Sequence, residues 1–257
     1  MPDKSIVKDI TQTFYDSMAS QYDQFFQDWA SAAHEEAAFL MRIFERYGFD
    51  RPRILDCACG IGTQAIGLAA LGLDVTASDI SAGEIAEAKK KAAQNGVSLR
   101  FEQADFCALS EVFHETFDIV IAMDNALPHM LSAESLQKAV QSITGRIREG
   151  GLFVASIRDY DRMLVDKPGY SMPYVHKTAG GQRVLFQTWD WKGDNYRFIQ
   201  YIITDEETTQ VSRFECEYRA TRRDELTDLL RAAGCREVIW EMPEATGFYQ
   251  PVVIVRK

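Results

Sequence analysis

Three aspartates and two glycines are the residues of this 257-residue chain whose types and spacing most directly suggest chemistry. Asp56 stands four residues before Gly60 in Asp56-Cys-Ala-Cys-Gly60-Ile-Gly62. Asp79 closes the next apolar run, and Asp105 follows the one after that, in Gln103-Ala-Asp105-Phe106. Glycines between a strand and a helix allow positive φ and let backbone approach a ligand closely. The run Gly60-Ile-Gly62-Thr-Gln-Ala65 also fits the dinucleotide pattern G-x-G-x-x-A, with Asp79 about 20 residues on to take ribose hydroxyls. A nicotinamide cofactor is therefore a competitor at this turn. Against it, a pyrophosphate seated there would meet the Asp56 carboxylate and be repelled. One aspartate at a strand end is as often a turn former or a helix cap. Three at matching positions beside Gly60 and Gly62 exceed what capping requires.

Positioning these residues takes alternating strands and helices. Short apolar runs at 53–57, 74–78, 98–102, 117–122 and 152–157 read as strands. Helices are expected at 63–71, at 81–95 behind the capping-box pattern Ser81-Ala-Gly-Glu84, and at 133–147. Such alternation predicts a mostly parallel sheet with helices on both faces. After Ile157 the pattern changes. Runs at 183–191, 196–204 and 211–220, joined by short polar turns, predict three antiparallel strands. A helix capped by Thr221-Arg-Arg-Asp224 and strands at 237–241 and 251–256 complete the core. Upstream, Ala37, Leu40, Met41, Phe44 and Tyr47 recur at helical spacing before Gly48. The aromatic-rich stretch from Phe14 to Phe26 reads as an amphipathic helix or a cover over a site. The expectation is one domain: a helical cover (1–50), a core (51–166 and 221–257) and an antiparallel insert (167–220).

Composition narrows the function classes. Hydrophobic residues make up 46% and charged residues 26%, enough for a core without disulfides or metals. The net charge of −10 disfavours a nucleic-acid substrate, because phosphate neutralisation supplies most of that affinity. Cys57, Cys59, Cys107, Cys216 and Cys235 are odd in number and lack disulfide or zinc spacing, so buried thiols and no metal are expected. No run of about 18 apolar residues occurs, so no membrane partner and a cytoplasmic location are expected. A homo-oligomer is compatible with the sequence.

The Asp-x-x-x-Gly-x-Gly turn, with Asp79 and Asp105-Phe106 after it, resembles motifs I to III of class I S-adenosylmethionine-dependent methyltransferases. The resemblance implies a Rossmann-like seven-stranded sheet with helices on both faces, and S-adenosylmethionine as cofactor. It implies that Asp56 helps hold the methionine amine, that Asp79 takes the ribose hydroxyls, and that Asp105 and Phe106 meet the adenine. By the same resemblance Tyr15, Tyr22, Ala58, Gly60, Gly62, Ile80, Met123 and His129 complete the cofactor contacts.

Later segments are similar to the glycine/sarcosine N-methyltransferase group. Met123-Asp-Asn125-Ala-Leu-Pro-His129 resembles the group's Gly-Asn-Ser-x-x-His loop, with Asp124 and Ala126 differing. Ile157-Arg158-Asp-Tyr-Asp161 is close to its His-Arg-Asn-Tyr-Asp, and Ser171-Met-Pro-Tyr174 lies near its paired tyrosines. The implied acceptor is a small amine or amino acid, positioned by Asn125, Arg158 and Tyr174. A guanidinium at Arg158 can clamp a substrate carboxylate through two parallel hydrogen bonds. The bland alternative is an ion pair with Asp159 or Asp161. Asn125 can bond the substrate amine or simply make a turn, and His129 can touch the cofactor carboxylate or cap the next helix. Tyr15, Tyr22 and Tyr174 offer π faces to a sulfonium, or pack in the core. Two other functions stay open: a small-molecule O-methyltransferase with His129 as base, and a cofactor-binding protein without turnover.

Overall fold

The computed structural model describes residues 4–257, so the first three residues of the expected 1–50 cover lie outside it. The chain opens with α1 (Lys4–Met18), a 3-10 turn at Ala19–Phe25, and α2 (Trp29–Arg46). Asp28 caps α2, its carboxylate accepting from Ser31 N. Then β1 (Arg53–Asp56), α3 (Thr63–Ala70), β2 (Asp74–Asp79), α4 (Ala82–Gln94), β3 (Arg100–Gln103), β4 (Phe117–Ala122), α5 (Ala133–Thr144) and β5 (Ile147–Ser156) alternate as the sequence predicts. Next come α6 (Tyr160–Asp166) and the insert strands β6 (Tyr174–Lys177), β7 (Gln182–Lys192), β8 (Asn195–Asp205) and β9 (Thr209–Arg219). The chain closes with α7 (Arg223–Ala232), β10 (Glu237–Glu241), α8 (Pro243–Thr246) and β11 (Val252–Arg256).

The main sheet has seven strands in the order β10-β11-β5-β4-β1-β2-β3. Strands β1 to β5 pair parallel, and β11 pairs antiparallel with both β5 and β10. The strand order reverses between β1 and β4, so a crevice opens beyond their carboxyl ends, where open α/β sheets bind ligands. Apolar residues fill both faces of this sheet: Ile54, Ile119, Ile121 and Val154 on the α2 side, Leu55, Val120, Phe153 and Val255 on the other. The insert forms its own four-stranded antiparallel sheet, ordered β6-β7-β8-β9. It has one strand more than the sequence suggested, because the short β6 follows a proline and lacks a clear apolar alternation.

Three local expectations are corrected. The fifth strand begins at Ile147, not 152, and the preceding helix ends at Thr144. Gly150-Gly151 looks like a break, yet the strand passes through it: a Cβ on Gly151 would lie 2.6 Å from the Asp118 carbonyl, so only glycine fits. The capping box of α4 is half made. Ser81 Oγ accepts from Glu84 N at 3.0 Å, but Asp79 Oδ1 takes the Ser81 N–H that Glu84 was expected to bond. Finally, Arg222 rather than Thr221 precedes α7, with no side-chain cap.

Candidate active site

The carboxyl end of β1 leads into the glycine turn. Gly60 and Gly62 have φ of +52° and +87°, a region costly for residues with a Cβ. Gly62 N donates to the Cys59 carbonyl and α3 starts immediately after it. Asp79, at the end of β2, braces this turn: Oδ2 accepts from Gly60 N and Oδ1 from Ser81 N, both at 2.9 Å. Asp56 is 1% exposed. Its Oδ1 accepts from Ala58 N at 3.3 Å, while Oδ2 has no partner. Burial pushes its pKa well above the usual carboxylate range, with Asp79 and Asp124 adding to the effect and the Ala58 amide opposing it. A buried carboxylate left this way calls for a cation from outside the protein.

Downstream of β3, Asp105 Oδ1 accepts from Cys107 N at 2.9 Å, and Phe106 packs half-buried against the core beside it. Gln103 donates to the Ile80 carbonyl, holding the ends of β2 and β3 together. The N-terminal helix closes over this region. Asp16 accepts from Ser81 Oγ at 2.5 Å and from Gly83 N at 2.8 Å, placing a carboxylate at the start of α4.

Beside the turn lies a cavity of about 1150 Å³ between α1, α2, the insert sheet and the loop before β11. Asp124 and Asn125 enter it from the end of β4 and Arg158 from the end of β5. Asn125 is buried, and its Oδ1 accepts from Arg158 N at 3.1 Å and Tyr160 OH at 3.0 Å. The backbone donor settles which end of the amide is oxygen, and leaves Asn125 Nδ2 buried without a partner. Arg158 Nη1 donates to Tyr196 OH at 2.9 Å and Nη2 to Gln187 Oε1 at 3.0 Å. Since Tyr160 gives its proton to Asn125, Tyr196 donates to Tyr160 at 2.9 Å, and the network runs in one direction. Trp189, Phe198 and Tyr218 surround the guanidinium carbon at 5.7, 5.2 and 5.5 Å.

The methyltransferase-domain family matches residues 54–151, which span β1 to the first half of β5. The glycine/sarcosine N-methyltransferase of Parasynechococcus marenigrum (strain WH8102) is 29% identical over 153 residues, 60% of this chain but only 53% of that protein. That of Halorhodospira halochloris is 27% identical over 214 residues, covering 83% of this chain and 77% of that one. In structure, an S-adenosylmethionine-dependent methyltransferase from Clostridium acetobutylicum ATCC 824 superposes with a TM-score of 0.75 at 18% identity, covering 94% and 98% of the two chains. The fold equally matches an amino pentose methyltransferase from Micromonospora echinaspora, solved with S-adenosylmethionine bound (TM-score 0.75, 18% identity, 87% and 91% covered). Residues 54–151 match a methyltransferase domain, and the fold is that of the S-adenosylmethionine-dependent methyltransferases on which the chain superposes.

The residues around the turn after β1 fit S-adenosylmethionine: glycines of positive φ, a buried acid at the end of β1 with one oxygen unpartnered among the described residues, and acids at the end of β2 and after β3. Among the described residues no His, Cys, Asp or Glu group could hold a metal ion, and no helix is long and apolar enough to cross a membrane. All five cysteines carry free thiols.

On the acceptor side, the structure decides several alternatives. Arg158 does not pair with Asp159 or Asp161; Arg223 takes both, at 2.6 and 3.0 Å. His129 does not cap α5, which Ser132 and Ser135 cap reciprocally. Instead Tyr15 OH and His129 Nε2 share a hydrogen bond of 2.8 Å, and the His129 ring lies 4.3 Å from that of Tyr218. Burial, helped by the Arg158 charge, drives the His129 pKa down to about 3, so the ring is neutral. Tyr22 lines the cavity and packs edge-on against Phe25. Tyr174 stands on β6 at the cavity rim, 64% exposed. Ala58 and Ile80 lie half-buried at the ends of β1 and β2, whereas the Met123 side chain is buried in the core and only its backbone is available.

Sequence reading missed Glu36, Gln64, Gln187, Tyr196 and Tyr249. For Glu36 a signal existed. It lies three residues after Ala33 and four before Leu40, so a carboxylate interrupts the apolar stripe of α2. The insert residues carried no such signal.

Proposed function

We propose that the protein transfers the methyl group of S-adenosylmethionine to the nitrogen of a small, carboxylate-bearing amine of the glycine/sarcosine kind. One observation supports this most: Arg158 is a guanidinium inside the cavity with no carboxylate partner among the described residues. Burial works to strip its proton, but the Tyr196, Tyr160 and Tyr218 oxygens more than offset this and keep it charged. An uncompensated buried charge costs roughly 3–5 kcal/mol. A substrate carboxylate would remove that cost, using the donors that Tyr196 and Gln187 leave free. Asn125 Nδ2 adds one more donor to the same end. Its oxygen is already doubly used, so in this role Asn125 supports the carboxylate rather than accepting from the amine.

In this reading Asp56 holds the methionine ammonium through Oδ2, Asp79 the ribose, and Asp105 with Phe106 the adenine. The bound cofactor supplies an already activated methyl on a sulfonium. The protein's own work is alignment: Arg158 and Asn125 fix the acceptor, and effective concentration of this kind is worth up to several kcal/mol. Tyr15, Tyr22 and Tyr218 offer π faces to positive charge. The α1 helix, tied down through Asp16, excludes water. The relatives named above methylate glycine and sarcosine, and the matched fold serves an amino sugar, so nitrogen acceptors recur on both sides.

Oxygen methylation fits less well. The base that the sequence offers for a hydroxyl proton, His129, is held at about 3 and is too weak near neutrality. A binding protein without turnover would have a cavity poor in polar groups, whereas this one holds Glu36, Asp124, Asn125 and Arg158. The deciding test incubates the protein with methyl-labelled cofactor and a panel of amines, amino acids and phenols. Label on amino-acid nitrogen is expected; label only on phenols would overturn the reading.

A further inference from the structure

Two successive non-glycine residues, Asp124 (φ +56°) and Asn125 (φ +71°), occupy the left-handed region after β4. Such backbone is uncommon outside glycine, though Asp and Asn adopt it more readily than other residues. At Asp124 it carries a carboxylate up to α2. A single amide, Gln64 Nε2, donates to Asp124 Oδ2 at 2.7 Å and to Glu36 Oε2 at 2.5 Å. Tyr249 OH donates to Asp124 Oδ1 at 2.5 Å. Glu36 Oε1 has no hydrogen bond among the described residues, and both acids line the cavity that Arg158 and Asn125 enter. Asp56, buried with Oδ2 unpartnered among the described residues, adds its charge to Glu36, and Asp124 adds its own to Asp56. No Lys or Arg pairs with any of the three among the described residues, so the chain itself offers them protons but no cationic partner. The methionine ammonium answers Asp56, which leaves the Glu36–Asp124 pair without one.

We propose that Glu36 and Asp124 form a proton-accepting pair, which receives the acceptor amine as its ammonium ion and deprotonates it before methyl transfer. This rests on the reading of the acceptor as an amine. Binding of the ammonium displaces the proton that Glu36 holds, which leaves to solvent through the cavity mouth. One N–H bond of the ammonium then breaks, its electron pair stays on nitrogen, and its proton passes to Glu36 Oε1. The neutral amine then takes the methyl and becomes a methylated ammonium, and Glu36 is left protonated as it began. The balance is one ammonium and one sulfonium in, and one methylated ammonium, one thioether and one proton out.

The surroundings suit that task. In the ligand-free chain burial, then Asp124, holds the Glu36 carboxyl up to about 9, while the Gln64 amide opposes them. Near neutrality Glu36 therefore holds a proton that a bound ammonium would displace. An arriving cation favours the ionised form of Glu36 and so frees it to take the amine's proton. Asp56, Glu35, Tyr22 and Tyr249 also face the pair, and all of them are acids. Arg42 lines the same cavity over the Phe39 ring without pairing with either carboxylate, and Arg158 stands at the end of β5.

The test measures kcat/KM from pH 6 to pH 10 for wild type, Glu36→Gln and Asp124→Asn, using an amine from the panel above, with cofactor affinity followed by calorimetry. Both variants are expected to lose about a hundredfold at pH 7 and to recover to within about threefold of wild type near pH 10, where the amine is free without help. Cofactor affinity should hold. A loss of the same size at every pH, or no loss at pH 7, overturns the proton-accepting role while leaving the amine reading intact. Failure of every amine to be methylated overturns both.

Discussion

Asp79 Oδ2 accepts a 2.9 Å hydrogen bond from Gly60 N, so the acid that ends the second strand holds the turn that follows the first. With Oδ1 on Ser81 N, the same carboxylate joins β1, β2 and the start of α4. Asp79→Asn keeps the size but turns one acceptor into a donor facing an N–H. We expect cofactor affinity to fall about tenfold or more and stability by about 1–3 kcal/mol, since a buried N–H is left unsatisfied. Calorimetric titration with cofactor and denaturant unfolding check the two separately. Unchanged affinity would show that Asp79 only braces the turn.

Gly62 and Gly72 share nearly the same backbone, φ +87° and +84°, but differ in what surrounds them. A Cβ on Gly62 would sit 2.7 Å from Ile66 Cδ1; one on Gly72 meets nothing within 4 Å. Gly62→Ala should therefore destabilise more than Gly72→Ala, by about 1 kcal/mol beyond the shared backbone strain, and should alone weaken cofactor binding. Equal losses in urea unfolding would mean that Ile66 yields without cost.

Arg158→Lys keeps a charge but loses the planar fork. Acceptor KM should rise about a hundredfold with cofactor affinity unchanged, as expected when one strong charge-assisted contact is lost. Steady-state kinetics with saturating cofactor read this directly, and an unaltered KM removes the clamp.

Glu36 makes stability depend on pH in an unusual direction. Its pKa is raised on folding, to about 9, so between the ordinary carboxylate value and about 9 the folded chain holds a proton that the unfolded chain has released. That contribution is intact in acid and is lost as pH rises through this window. Glu36→Gln should therefore raise Tm at pH 8 more than at pH 5 in the cofactor-free protein. A Tm difference that does not change with pH contradicts the shift.

His129 should stay neutral far below its ordinary range, because burial and then the Arg158 charge hold its pKa at about 3. Ring chemical shifts followed by NMR from pH 8 to pH 5 should show no titration of His129. Any acid limb in the activity profile would then belong to other groups. An inflection near 6.5 at His129 would reopen the possibility of a base there.

The sequence alone determined the sheet, the glycine turn, the acids at the ends of successive strands and hence the cofactor. These are local matters: strand and helix periods, a positive φ that only glycine adopts cheaply, and a carboxylate at a strand end are set by residues within a few positions of one another. Tertiary structure alone decided which partners Arg158, Asn125 and Glu36 take. Whether Arg158 is neutralised depends on who competes for Asp159 and Asp161, and the winner, Arg223, is more than 60 residues away in sequence. Asn125 looked like an acceptor until the Arg158 backbone and Tyr160 took its oxygen. Glu36 and Asp124 meet on Gln64 only because α2 packs on α3 beside the end of β4. Charge and hydrogen-bond partnerships are competitions settled by packing, and a linear pattern lists the competitors without naming the winner.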